Sequence, residues 1–181
     1  REKAYGIWQT WTLGQIGEEA FAFAAGLSQL GFTRNDTLVI IGDNRPRLYG
    51  AMIAAQSLGG VPVPTYQDSV AQEILYVVDH AEARFIVAEN QEQVDKALEI
   101  REQCPRVERI FYCDPKGLRK YDPQIVMDSQ TVMASGREIL EANPETVVSE
   151  IQKGAGSDTA IILYTSGTTG RPNGVVPSQQ N

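Results

Sequence analysis

At 181 residues the chain is one domain's worth of polypeptide, long enough to bury a proper core. Its 42% hydrophobic and 22% charged residues are ordinary for a folded globular protein, and a net charge of −7 argues against a nucleic-acid surface or an anionic membrane partner. The two cysteines, Cys104 and Cys113, suit neither a Cys-x-x-Cys redox pair nor a zinc knuckle, so two buried or partly buried thiols in a reducing cytoplasm are expected. No apolar run approaches membrane-spanning length and no signal peptide is visible. The chain begins without Met and stops just past its best motif, which reads as trimming at both ends.

Tyr5, Trp8 and Trp11 form an N-terminal aromatic cluster expected to pack on the domain. Thr12 and Gln15 have the spacing of a capping box, and Ile16, Ala20, Phe23, Ala24, Leu27 and Leu30 recur at helical spacing up to Gly31. Leu38–Ile41 is a continuous apolar strand of the kind buried on both faces of a parallel sheet. Asp43-Asn44-Arg45-Pro46 opens a second helix, with Asn44 as the expected cap and Pro46 in the first turn. That helix runs to about Leu58 and stops at Gly59-Gly60. Val61-Pro-Val-Pro64 is expected to be an extended edge or a strand entry, because proline cannot donate to a ladder.

Ser69 and Gln72 repeat the capping-box pattern ahead of Ile74, Leu75 and Val78. Phe85–Ala88 and Ile110–Cys113 read as strands, separated by a helix carrying Val94, Ala97, Leu98 and Arg101 that Pro105 closes. The acidic run from Glu89 to Glu102 is the wet face of that helix. Asp114–Gly117 is a turn and Ile125–Met127 a short strand. Thr131–Ala142 is a helix interrupted or bent near Gly136, and Pro144 restarts a shorter one through Ile151. Strands alternating with helices predict an α/β fold: a predominantly parallel sheet with helices on both faces, joined by right-handed crossovers.

The last apolar run, Ala160–Tyr164, is expected to be an interior strand of that sheet, followed by an exposed loop over Thr165–Arg171. In the loop Thr165, Ser166, Thr168 and Thr169 alternate with Gly167 and Gly170. Glycine lets the backbone turn tightly against a ligand, successive N–H groups make a concavity for an anion, and hydroxyls add donors to phosphate oxygens. The spacing is not that of a Walker A loop, nor of the dinucleotide fingerprint, since Gly154 and Gly156 precede the strand. As composition alone, an ordinary Ser/Thr/Gly turn is the alternative.

The order of residues narrows this. Tyr164-Thr-Ser-Gly-Thr-Thr-Gly-Arg-Pro-Asn-Gly-Val175 resembles the signature loop of the adenylate-forming superfamily of acyl-CoA synthetases, firefly luciferase and the adenylation domains of peptide synthetases. Trp11-Thr12 and Gly59-Gly60-Val61-Pro62-Val63-Pro64 also look like that superfamily's N-terminal region, and long-chain fatty-acyl-CoA ligases are the most similar branch. The resemblance implies the N-terminal part, residues 1–181, of an AMP-binding large domain, with the remainder beyond Asn181. It implies two-step chemistry, in which a carboxylic acid attacks the α-phosphate of ATP·Mg²⁺ and coenzyme A then displaces AMP. It assigns Thr165, Ser166, Gly167, Thr168, Thr169, Gly170 and Asn173 to phosphate binding, and no catalytic or metal-ligating residue to this chain.

Asn173 stands where the superfamily usually has Lys, and Gln179 where it often has His. The superfamily's adenine contacts, magnesium-binding Glu and catalytic Lys are expected beyond Asn181, so the chain by itself is expected to be inactive; a diverged, non-catalytic nucleotide-binding module, favoured by Asn173, is the rival reading. An unrelated α/β domain, such as a flavodoxin-like receiver or a dinucleotide-dependent oxidoreductase, fits less well because the glycine-rich loop follows the last strand. A homo-oligomer is left open. His80, the one histidine, sits at a helix end, where a structural role is expected. Asp43-Asn44-Arg45 follows a strand, where α/β ligand sites gather, but helix capping is the expected role.

Overall fold

The computed structural model describes residues 2–4, 6–165 and 172–180. A short antiparallel hairpin, β1 (Glu2–Ala4) and β2 (Ile7–Gln9), precedes α1 (Leu13–Gln29). Then follow β3 (Thr37–Ile41), α2 (Pro46–Ser57), β4 (Val61–Thr65), α3 (Ala71–His80), β5 (Phe85–Ala88), α4 (Gln91–Arg101), β6 (Arg109–Tyr112), β7 (Val126–Asp128), α5 (Ser129–Ala142) and α6 (Glu145–Ile151). The chain closes with a second hairpin, β8 (Leu163–Thr165) and β9 (Asn173–Val175).

One five-stranded sheet, ordered β4-β3-β5-β6-β7, carries the fold, and all its pairings are parallel. Alternate side chains of each strand point to opposite faces. Leu38, Ile40, Phe85, Val87 and Phe111 meet α1, α2, α5 and α6 on one face. Val39, Ile41, Val63, Ile86, Ala88 and Ile110 meet α3 and α4 on the other. Both faces are covered, which is why these strands are continuous apolar runs.

The helix termini follow their local chemistry, with two shifts from expectation. At α1 the capping box forms: Gln15 N donates to Thr12 Oγ1 at 3.1 Å and Thr12 N to Gln15 Oε1 at 2.9 Å. At α2 the N-cap is Arg45, not Asn44, and it makes no side-chain capping bond. Pro46 at the first position has no N–H to cap, and Asn44 Oδ1 instead accepts the Tyr49 hydroxyl at 3.1 Å. At α3 the N-cap is Val70, one residue later than Ser69. Only half a capping box exists there, Glu73 Oε2 accepting Val70 N at 3.3 Å, since valine has no acceptor to return the bond.

Gly136 does not bend α5, which is one helix over Ser129–Ala142. It lies against α1 so closely that a Cβ would overlap Ala22 O and sit 2.9 Å from Gly26 N. Gly26 is the reciprocal contact: its Cβ would meet the Val132 carbonyl and lie 2.6 Å from Val132 Cγ1. Two glycines thus let two backbones cross at near contact.

The N-terminal aromatics do not pack as one cluster. Trp8 is 64% exposed, Trp11 is half-buried with the Arg47 guanidinium 5.9 Å from its ring centre, and Tyr5 lies outside the described residues.

The largest correction concerns Ala160–Tyr164, which is not a strand of the parallel sheet. Leu163–Thr165 pairs only with β9, and Leu163 is 41% exposed. Where the sheet would have gained a strand, Ile162 N makes a single backbone bond to Pro62 O of β4 at 3.1 Å. β4 carries prolines at Pro62 and Pro64 and offers no regular ladder on that side.

Candidate phosphate-binding site at the carboxyl edge of the sheet

In parallel sheets, ligand sites gather where the strands deliver their carboxyl ends. Here the segments after β3 and β4 and the end of β8 meet at that edge. Gly42, Asp43, Asn44, Thr65, Tyr66 and Thr165 line a groove of about 450 Å³. Tyr66 is 74% exposed on its rim.

A carboxylate that looked like helix surface organises one wall. Glu89, at the end of β5 beside β3, accepts Asp43 N at 2.7 Å through Oε2 and Arg45 Nε at 3.0 Å through Oε1. Asp43-Asn44-Arg45 is therefore a turn held by Glu89 on the groove wall; Arg45 takes the N-cap position of α2, but no side chain of the segment makes the expected capping bond. The remaining acids of that run, Glu92, Asp95, Glu99 and Glu102, are exposed as expected.

The glycine-rich loop is carried by the β8–β9 hairpin. Thr165 and Asn173 are direct cross-strand partners that close the connection 166–172, and both are exposed. Directly opposed residues of an antiparallel pair point to the same face, so the Thr165 and Asn173 side chains share one face of the hairpin. Thr165 is the last residue of β8 and not the first of a loop. Of the other expected phosphate ligands, Ser166, Gly167, Thr168, Thr169 and Gly170 lie outside the described residues. Gln179 is exposed, and its N–H donates to Asp158 O at 2.9 Å.

Three tethers fix the hairpin's root. Gln56 Nε2 of α2 donates to Ala160 O at 2.8 Å, Ile162 N reaches Pro62 O at 3.1 Å, and the Tyr164 hydroxyl shares a 2.7 Å hydrogen bond with His80 Nδ1. His80 ends α3, and its ring and that of Tyr76 pack around Tyr164, edge-on at 5.7 and 6.2 Å between centroids. Burial, and then Tyr76, push the Tyr164 phenol above its ordinary pKa, so it stays protonated through the neutral range. The single histidine is structural, as its position suggested.

Tyr164→Phe keeps the ring and deletes this bond. The expected cost is about 1 kcal/mol, with faster amide exchange at Leu163–Thr165. A double-mutant cycle with His80→Ala checks it: additive losses would mean that the two side chains do not couple.

Among the described residues, no three His, Cys, Asp or Glu side chains come together as metal ligands, and none is assigned to an ion. No helix among them is long and apolar enough to cross a membrane.

The architecture is an α/β domain with a five-stranded parallel sheet, and the end of β8 lies in a groove at the sheet's carboxyl edge. The chain belongs to the AMP-binding enzyme family, whose model matches residues 1–181. It is 30% identical over 174 residues to the long-chain-fatty-acid–CoA ligase ACSBG2 of Xenopus laevis, an alignment covering 96% of this chain and 23% of that protein. With the long-chain-fatty-acid–CoA ligase FadD15 of Mycobacterium tuberculosis it shares 27% over 176 residues, 97% of this chain and 28% of that one. The chain thus spans about a quarter of the length of these relatives. The crystal structure of the anthranilate CoA ligase AuaEII in complex with anthranoyl-AMP superposes with a TM-score of 0.79 over 95% of this chain and 30% of that one, at 19% identity, and shares the fold.

Proposed function

We propose that this chain is the phosphate-gripping part of an ATP-dependent acyl-CoA synthetase. The parent enzyme would be an acid–thiol ligase that activates a carboxylic acid as its adenylate and passes the acyl group to coenzyme A. A fatty acid is the substrate class its ligase relatives favour. The observation that carries the reading is the Thr165–Asn173 pair, which holds the two ends of the glycine-rich connection together beside the groove. Asp43 and Asp68 line that groove and repel an anion, so the triphosphate rests on the loop's own donors. In this role the chain positions the α-phosphorus in line with the incoming carboxylate and moves no proton. Magnesium would arrive with ATP and would offset the charge of its phosphates, and no residue of this chain is assigned to hold it. Two unpaired thiols suit a reducing compartment, and a cytoplasmic location belongs to the proposal.

Residue 173 provides the test. Asn173→Lys exchanges a neutral donor for a charged one, worth roughly 1.5–3 kcal/mol against about 1 for a neutral bond before side-chain ordering and screening are subtracted. ATP and pyrophosphate should bind a few-fold tighter, up to about tenfold at low salt, and AMP much less. Titration calorimetry with ATP and AMP at two ionic strengths reads this directly. An equal gain for AMP would place residue 173 away from the outer phosphates. The chain alone should release no pyrophosphate above background with a panel of fatty and aryl acids, and turnover requiring both ATP and acid would refute that.

A further inference from the structure

On the helical face opposite α3 and α4, three side chains that line one cavity each carry a buried hydrogen-bond donor with no strong acceptor among the described residues. The cavity is about 20 Å³, lined by residues of α1, α2 and α5 together with Trp11 and Cys113; one water needs roughly 10–15 Å³ on the same measure. Trp11 Nε1, Arg47 Nε and Ser129 Oγ are buried atoms without a hydrogen-bond partner among the described residues, and all three residues line the cavity. Ser129 is 4% exposed, and its hydroxyl has only the Cys113 thiol for company, a weak partner.

The lining carries one cation, Arg47, and one acid, Glu19, while Glu89 and Asp128 act on the adjoining Cys113. Arg47 is half-buried; it donates through Nη1 to Cys113 O at 3.3 Å, and no carboxylate of the described residues forms an ion pair with it. A guanidinium drawn out of water without a counterion is costly. Glu19 is the one acid in the lining, and it too makes no ion pair with Arg47. A water accepts two hydrogen bonds, leaves one of the three donors unmet, and has to aim its own hydrogens at weak acceptors or at Glu19. A monatomic anion accepts all three and neutralises Arg47.

We propose that this cavity binds a chloride-class monatomic anion, held by Arg47 Nε, Trp11 Nε1 and Ser129 Oγ. The bound ion ties the segment before α1 to the starts of α2 and α5. The site is independent of the phosphate loop and does not rest on the reading given for it.

The test uses the whole chain with bromide as probe. Bromide is a chaotrope and lacks the general stabilisation that excluded salts such as sulfate confer. A saturable rise in Tm of about 2–4 °C at low sodium bromide concentration is therefore read as site binding and is expected in the unsubstituted chain. Crystals grown in bromide should show an anomalous difference peak in the cavity. Ser129→Ala and Arg47→Gln should abolish the bromide response, and Glu19→Gln should lower the half-saturating concentration several-fold. Should Arg47→Gln fail to fold, Ser129→Ala carries the comparison alone. A cavity that holds only water in bromide crystals overturns the proposal. So does a bromide response that never saturates, or one that survives in Ser129→Ala.

Discussion

Gly136→Ala should destabilise the protein by about 3 kcal/mol or more, the upper range for an inserted methyl group in a packed core. The added Cβ falls on Ala22 O and crowds Gly26 N, and both are backbone atoms that no rotamer change can move aside. Relief requires α5 to draw away from α1, which would also loosen Val132 and Met133 against Phe23. With total stabilities of roughly 5–15 kcal/mol, a change of that size takes a large share. Urea unfolding monitored by circular dichroism gives the number. An alanine variant within about 0.5 kcal/mol of wild type, the range of ordinary surface substitutions, would show that the helices part easily.

A comparable loss is expected on raising the pH, with Cys113 as its main source. Burial pushes this thiol up to about 12, against the counteracting effects of Ser129 and Arg47. In the unfolded chain a thiol titrates near 8.5. Below that pH both states hold the proton and the stability is fully present. Above it the unfolded chain gives up its proton while the native state keeps it. Stability then falls by about 1.4 kcal/mol per pH unit, on the order of 2–3 kcal/mol by pH 10.5, until the folded thiol also ionises. Tyr112 and Tyr164, likewise raised by burial, act in the same direction above about pH 10. Urea midpoints at pH 8, 9.5 and 10.5 should therefore decline more steeply in wild type than in Cys113→Ala. Parallel declines would remove the thiol from the explanation.

Local rules predicted well wherever the local signal and the tertiary environment agree. Leu38–Ile41 and Phe85–Ala88 lie between two layers of helices, so their burial is written in the chain as unbroken apolar runs. Thr12 and Gln15 close their capping box within four residues of chain and depend on nothing distant. Ala160–Tyr164 shows the limit of the same signal. An apolar run reads alike whether it enters a sheet or packs its root on a sheet's edge, and the prolines that decide between them are about a hundred residues upstream. Gly136 was expected as a bend because glycine is a poor helix former, yet its role is set by a partner glycine on α1. Glu89 belongs to a run of acids, and only the adjacency of β3 and β5 brings it to the Asp43 turn. The loop's residue order was legible at once, whereas the cross-strand pairing of Thr165 with Asn173 required the hairpin.

The prolines of β4 have a consequence beyond steering the hairpin. β4 pairs with β3 on its inner side, and on its outer side Pro62 O accepts from Ile162 N. In a strand the N–H and C=O of one residue face the same way, so Pro62, and Pro64 two residues on, turn donorless nitrogens toward the outer margin, where the hairpin root bonds at Pro62 O. That margin offers carbonyls without amides to alternate with them. An incoming strand from another molecule would find half of its ladder missing, which disfavours edge-to-edge aggregation at this side of the sheet.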